Sequence, residues 1–471
     1  MRNSGIYTAI FTIELLLTAS WMTGGRAGFA PYAMIGLSFL SIFPLIASFI
    51  HRRSDSEISA KLLVPWLTLL CLSCISLFNT SFRRISNLAE KDNLWTLQGR
   101  FLKIEPIHFL PSTVDAARTL IFLALLTGLM LLSVTIFACI KKRSHIRFIL
   151  NLICINGFVL SITGIVFKVL GTDKILGFIP WKTNSFFATF RYHNHWGAFI
   201  LLCLFSSLAL FAWNWKKNGK RIANRGNQSP FYLLVSFVFL LTLPISTSRA
   251  AILAAVIMTL YLAAVLLLKL FQKNAVTAAF KLLSVFALII CMSGTIFFVS
   301  KNFFRGEVLN TKEQIELALS GKTFDLRVPL MRDSVHLILQ KPLFGWGYHS
   351  FGYIFPLVAS DDFYIYSKTK PVRVEFTHND YLQNMIEFGI IGFLLLISVP
   401  ITVFLHIRKN GKRNTISFFL FCGIASILIM AMYDFPLSNP AVLAHFVIIF
   451  SLAAKYALLS AKTPISNRQT I

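Results

Sequence analysis

The chain has 471 residues, 56% of them hydrophobic and only 14% charged, which excludes an ordinary soluble domain and fits a polytopic membrane protein. The net charge of +26 would suggest nucleic acid in a soluble protein. Here the Lys and Arg residues are divided among short connections between apolar runs, which argues against a nucleic-acid surface.

A helix needs roughly 20 apolar residues to cross a bilayer. Such runs lie near residues 7–24, 31–50, 62–79, 115–140, 147–169, 195–213, 231–247, 250–270 and 276–299, and again near 380–406, 415–433 and 441–460. They predict an all-α, polytopic membrane fold of about twelve transmembrane helices. Helices one to nine fall in residues 1–300 and helices ten to twelve in 379–460, with a large extracytoplasmic loop subdomain at 301–378 and a tail at 461–471. Basic residues cluster in alternate connections, at Arg52–Arg53, Lys141–Arg143, Lys216–Arg225, Lys269–Lys273 and Arg408–Arg413. The intervening short connections hold Arg26 or, in DFPLSNP (434–440), no Lys or Arg. This positive-inside pattern predicts that both termini are cytoplasmic and that the loops near 80–114, 171–190 and 300–378 lie outside. Arg2 and the apolar run after it, interrupted by Glu14 and lacking a small-residue cleavage site, read as the first membrane helix. Glu14 itself reads as an acid facing a cavity, with no assigned role.

Nearly all seven cysteines lie in apolar runs, with Cys71 and Cys74 spaced i,i+3 as small packing residues. No Cys–His spacing suits zinc, so neither disulfides nor a metal site is expected. The loop at 81–113 mixes Arg83, Arg84, Arg100 and Lys103 with Trp95 and Phe101, as an interfacial segment would. Helical patterns follow at 310–321 and 325–340. Next comes KPLFGWGYHSFGYIFP (341–356), where Gly345 and Gly347 permit tight turns. Its aromatics suit packing, bilayer contact or a sugar face.

Three polar constellations stand at outer helix mouths. In THNDYLQNMIEFGIIGFLLLISVP (377–400), His378 lies at or just before a helix N-terminus, where the dipole opposes positive charge and so suits a neutral base. Asn379 or Asp380 caps that helix, and Gly389 and Gly392 are expected to let it pack closely on a neighbour. An interfacial histidine with no special role is the alternative. In LPISTSRAAILAAVIM (243–258), Arg249 opens an apolar run beside Ser246, Thr247 and Ser248. Guanidinium plus hydroxyls suits a phosphate, against the alternative of a snorkelling Arg. In SFFATFRYHNHWGAFILLCL (185–204), Arg191, Tyr192, His193, Asn194 and His195 form a polar patch or a simple cap. His193 and His195 are i,i+2 and do not share a helix face, which argues against a metal pair. Arg327 and Arg332 are solvated charges or, for Arg327, a partner of Asp325, while His336 and His349 read as structural.

Together these stretches resemble the O-antigen ligase family, with the related O-antigen polymerases and protein O-oligosaccharyltransferases. The family pattern of His, then Asn, Ser or Gln, nine residues, Gly, two residues and Gly is matched by His378, Asn379, Gly389 and Gly392. LMRDSVHLILQKPLFGWGYHSFGYIFP (330–356) is similar to the family's loop segment, and TSRAAIL (247–253) to its Ser-Arg element. ATFRYHNHWGAFILL (188–202) is similar to a Gly-Thr-Phe segment, with Ala188 in place of the Gly and His193 before Asn194. The resemblance implies a GT-C-like, metal-independent glycosyltransferase without a cofactor. It would move a glycan from undecaprenyl pyrophosphate to lipid A-core, another glycan or a protein, on the periplasmic face of the bacterial inner membrane. His378 would be the catalytic base, and Arg249, Arg191, Asn379, Asn194 and Arg327 would bind substrate. A polysaccharide flippase is the rival class. It would place charges near the midplane and break helices in matched halves, whereas this chain gathers polar groups at outer mouths.

Overall fold

The computed structural model describes residues 4–26, 28–50, 56–84, 101–103, 105–107, 109–181, 186–218, 226–271, 327–360 and 374–461. The apolar runs are helices: α1 (Ser4–Trp21), α2 (Ala30–Leu40), α3 (Ile42–Ile50), α4 (Ser56–Phe78), α5 (Ala116–Cys139) and α6 (Arg143–Val169). They continue as α7 (His193–Lys217), α8 (Ser229–Ile245) and α9 (Arg249–Phe271). After α10 (Arg327–Gln340) and the short α11 (Phe351–Ile354) come α12 (Asp380–Asn410), α13 (Thr415–Met430) and α14 (Pro440–Ala461). Among the described residues, six stretches are long and apolar enough to cross a membrane, counting Ala30–Ile50 as one. The chain is a multi-pass membrane protein. The expected helix at 276–299, the helical pattern at 310–321, half of the 301–378 loop and nearly all of the tail fall outside the described residues.

The structure departs from the expected helices at several points. The run at 31–50 breaks at Ser41, because Pro44 has no N–H to give the carbonyl of Leu40. The Ser41 carbonyl accepts the Leu45 N–H at 3.4 Å and the Thr135 hydroxyl of α5 at 3.2 Å. Two small two-stranded pairings interrupt the all-α pattern. β1 (Phe82–Arg84) pairs antiparallel with β2 (Phe101–Lys103), and β3 (Lys174–Ile175) with β4 (Ile179–Pro180). Cys71 and Cys74 are exposed on α4 and do not pack in the core. Glu14 is on the exposed side of α1 and lines neither of the two cavities described below.

The core is built around α7, whose Trp196, Phe199, Leu201 and Leu202 are fully buried or nearly so. Helices α6, α8, α9, α13 and α14 pack on it. Gly197 sets the approach of α9, since a Cβ there would lie 2.2 Å from the Ser248 hydroxyl. Buried hydroxyls are satisfied locally, as when Thr12 and Ser206 donate to carbonyls four residues back at 2.7 and 2.8 Å. Others cross between helices, as Ser451 to Ser133 at 3.0 Å and Ser236 to Ser207 at 3.0 Å. In an apolar setting such bonds replace water that is not there.

The connections sort to two ends. At one, Gly24 abuts Phe190, Gly25 abuts Ala441, and the Asp380 N–H donates to the Ala431 carbonyl at 2.9 Å. At the other, Gly5 abuts Cys139 and His145, and the Lys412 N–H donates to the Ala457 carbonyl at 3.1 Å.

α12 is broken at Gly389, which takes φ 66° and ψ −179°. The expected close approach of a neighbouring helix is corrected: the partner at Gly389 is the 342–347 loop. A Cβ on Gly389 would lie 2.3 Å from the Leu343 carbonyl oxygen, and one on Gly345 would lie 2.5 Å from the Gly389 nitrogen. Trp346 and Gly347 donate to the carbonyls of Ile386 and Glu387 at 2.9 Å each. Ile390 and Ile391 donate to those of Pro342 and Leu343 at 2.8 and 3.2 Å. These four bonds take the place of helical bonds lost at the break, where an unpaired backbone group would be costly in an apolar setting. Gly392 faces Leu69 of α4, 3.6 Å from a Cβ placed there. The outcome is a two-turn segment, Asp380–Phe388, clamped by the loop and carrying His378 at its start.

Candidate active site

His378 has φ 55°, a left-handed conformation that a β-carbon disfavours. The residues around it hold it there. The Thr377 hydroxyl bonds the Asn379 carbonyl at 2.7 Å, and the Thr377 N–H donates to Gln383 Oε1 at 2.9 Å. Asn379 caps α12 by accepting the Leu382 N–H at 3.0 Å, and its amide donates to the Met432 carbonyl at 2.9 Å. Both ends of that side chain are therefore engaged within the protein.

The imidazole rests edge-on against Phe435, ring centroids 4.8 Å apart. Its Nδ1 is buried and lies 3.6 Å from Asp434 Oδ1. The side chain is nevertheless 28% exposed, so the accessible ring nitrogen is Nε2. Asp434 is 1% exposed. Its carboxylate accepts the Phe435 N–H at 2.9 Å and the Asn194 amide, with Asn194 Oδ1 in turn accepting the Ser248 hydroxyl at 2.8 Å. Asn194 also donates to the Tyr192 hydroxyl at 2.9 Å. The Asn194 side chain is thus fully committed and positions Asp434.

The 431–439 turn ties the whole mouth together. The Met432 carbonyl holds Asn379, and the Tyr433 carbonyl accepts Arg327 Nη1 at 3.3 Å. The Tyr433 hydroxyl donates to the Ala250 carbonyl at 3.2 Å, fixing the turn to the start of α9 beside Arg249. The Leu437 N–H donates to buried Asp380 at 2.8 Å. Phe435 stacks between Phe376 at 4.4 Å and Tyr192 at 5.4 Å. Sequence reasoning passed over this turn, noting in DFPLSNP only the lack of Lys and Arg. The available signal was Asp434 itself, a carboxylate at an apolar helix end, which needs a partner.

Three arginines lie around the mouth, and a fourth, Arg249, opens the adjacent helix α9. Arg26, used in the sequence reading only for orientation, lies over the Phe376 ring at 5.5 Å. Burial lowers its pKa, with nearby Glu375 pulling the other way and Arg191 adding to the lowering. Arg191 lies over Trp181 at 4.6 Å with a buried Nε that has no hydrogen bond, and burial lowers its pKa as well. Arg327 reaches the 431–439 turn as described, and its electrostatic influence extends to Tyr192. Arg249 is exposed at the N-terminus of α9, directly after Ser248. Burial, then Asp434, push the Tyr192 phenol up, so it stays protonated and offers a hydrogen bond. His195 is a packed interior histidine, its Nδ1 3.5 Å from the Asn439 amide. His193 lies against Tyr192 with ring centroids 4.7 Å apart and the rings tilted by 40°. Among the described residues, no group of three or more His, Cys, Asp or Glu is placed to hold a metal ion.

The geometry suits acid–base and anion chemistry together: a histidine backed by a buried carboxylate, with guanidinium groups around it. No curated protein matches the chain. Residues 234–397 match the family model described as O-antigen ligase, a stretch that runs from α8 through His378 and past Gly392. The match supports the O-antigen ligase family for this chain, and with it a membrane glycosyltransferase of the ligase or polymerase type.

Proposed function

We propose that the chain transfers a glycan from undecaprenyl pyrophosphate to an acceptor hydroxyl at the His378 mouth, facing the periplasm, with both termini cytoplasmic. The observation that carries this reading is His378 Nδ1 buried 3.6 Å from the Asp434 carboxylate, a separation just beyond a hydrogen bond that a small shift would close, while Nε2 remains accessible. Nε2 takes the proton from the acceptor O–H as its oxygen bonds the anomeric carbon. The anomeric C–O bond to pyrophosphate breaks, and the lipid pyrophosphate leaves. Asp434 stabilises the imidazolium that forms. Arg249, Arg191, Arg327 and Arg26 take up the charge on the leaving group, a task for which many transferases use a divalent ion. Asn379 and Asn194 act as positioning residues. An apolar cavity of about 280 Å³ beside Phe376 and Asp380, extending to Pro400 and Val403, suits part of an isoprenoid chain. Lipid A-core is the first acceptor to test, with another glycan repeat or a protein hydroxyl as the other members of the class.

The test is transfer by purified protein from an undecaprenyl-pyrophosphate-linked glycan to a panel of acceptors in excess EDTA. The reading predicts transfer by wild type and its loss in His378→Ala and Arg249→Ala variants that retain their fold. Undiminished transfer by His378→Ala would remove the histidine from the chemistry. Movement of the glycolipid across liposomes without transfer would favour a flippase.

A further inference from the structure

At the end of the bundle away from His378, a cavity of about 1750 Å³ opens between the ends of α7, α12 and α14 and the start of α13. α12, broken at Gly389, runs 31 residues from one end to the other. Six cations line the cavity: Arg143, Lys216, Lys217, Arg408, Lys412 and Arg413. Among the described residues lining it there is no Asp or Glu. The remaining wall is largely apolar and aromatic, with Trp213, Tyr261, Phe404 and Phe418. Lys217 Nζ lies 5.3 Å from the Trp213 ring, and Arg147 lies over the same ring at 4.2 Å, so the indole is bracketed by cations. The N-terminus of α13 also faces the cavity, where Asn414 Oδ1 accepts the Ser417 N–H at 2.9 Å. A 16-residue helix brings its positive dipole end to the same place.

Cations that only orient a protein in the bilayer can be spread over its surface. These converge on one concave space with aromatic walls. We propose that this cavity binds an anionic diacyl phospholipid, its phosphate among Lys216, Lys217 and Arg413 and its acyl chains against Phe404 and Phe418. A soluble phosphate compound would satisfy the cations but leave the apolar walls exposed. The inference does not rest on the identity of the glycan donor or acceptor.

Native mass spectrometry of the full chain, titrated with dioleoylphosphatidylglycerol or dioleoylphosphatidylcholine, tests it. The anionic lipid is expected to half-saturate one site at a concentration at least about tenfold lower than the zwitterionic one. The triple variant Lys216→Gln, Lys217→Gln, Arg413→Gln is expected to lose about tenfold in affinity, and Arg413→Gln alone about threefold. Lys142→Gln with Lys409→Gln removes two exposed cations outside the cavity and is expected to stay within about twofold. Equal affinity for both lipids, or equal loss in the two sets of variants, would overturn the proposal. Displacement of the lipid by millimolar inorganic phosphate would also overturn it, in favour of a soluble anion. The single Arg413→Gln variant serves if the triple one is poorly folded, and no loss of affinity in it would count equally against the site.

Discussion

At the His378 end of the bundle Arg327 donates to the Tyr433 carbonyl, Arg191 lies over Trp181, and Arg26 lies over Phe376. At the other end Lys216, Lys217, Lys412 and Arg413 are exposed around a wide cavity. Both ends gather cations, all arginine among those named at the first and mostly lysine at the second, but among the described residues only the first end sets them beside a buried carboxylate. Backbone geometry differs too. Thr23, Leu176, Ala188, Thr247, His349 and His378 are the non-glycine residues with positive φ among those described, and all sit in connections at the His378 end. Such conformations cost about 1 kcal/mol or more each and persist only where the surroundings impose them. Charge alone therefore does not distinguish the two ends. Constraint does, and it marks where aimed chemistry is expected.

The largest expected effect sharpens this contrast. Asp434→Asn should lower the rate of glycan transfer by about a hundredfold, with the fold retained. Lys142→Gln, at the other end, should leave transfer within about twofold. Steady-state rates for both variants check the pair. Similar losses from both would break the comparison. Next comes Gly389→Ala. Its Cβ would meet the Leu343 carbonyl at 2.3 Å in a left-handed backbone, so we expect a loss of about 3 kcal/mol in stability, read by thermal unfolding in detergent.

A smaller effect concerns the loop helix α10 that presents Arg327. Asp333 Oδ2 accepts the Ser360 N–H at 2.9 Å and the Ser360 hydroxyl at 2.7 Å, and Arg332 lies 3.0 Å from Oδ1. Burial raises its pKa, but the Ser360 bonds and Arg332 outweigh that and hold it below the usual carboxylate value. A depressed folded pKa contributes stability that is present above about pH 4 and lost as pH falls through the folded value. Asp333→Asn should therefore unfold earlier than wild type at pH 7, and the gap should close as pH drops below about 4. Melting curves across pH check it. The smallest effect is at Ala188, φ 50° and 3% exposed. Ala188→Gly relieves the backbone but removes a buried methyl, so the net change in stability should be under about 1 kcal/mol.

Much of this was legible in the sequence, for physical reasons. Apolar runs of about 20 residues became helices because a helix satisfies its own backbone in lipid, whereas a barrel strand needs only about 10. The His378 motif stood out because an imidazole and paired glycines are rare in such a run. Asn194, Ser248 and Arg327 lie far apart in the chain yet meet at one mouth, and residues at alternate helix ends tend to do so. The break at Gly389 was not legible, because the apolar pattern continues through it and the cause is a loop whose contacts are wholly tertiary. Asp434 was missed because a lone carboxylate in a short turn has no spacing to read. The left-handed φ of Ala188 was not legible either, because such a conformation favours glycine and an alanine does not announce it.

The most direct test of the account is a double-mutant cycle on His378 and Asp434, read by single-turnover glycan transfer. If Asp434 acts through the imidazole, Asp434→Asn added to His378→Ala should cost nothing further, although it is severe alone. Independent losses that multiply in the double variant would contradict the pairing on which the proposed mechanism stands.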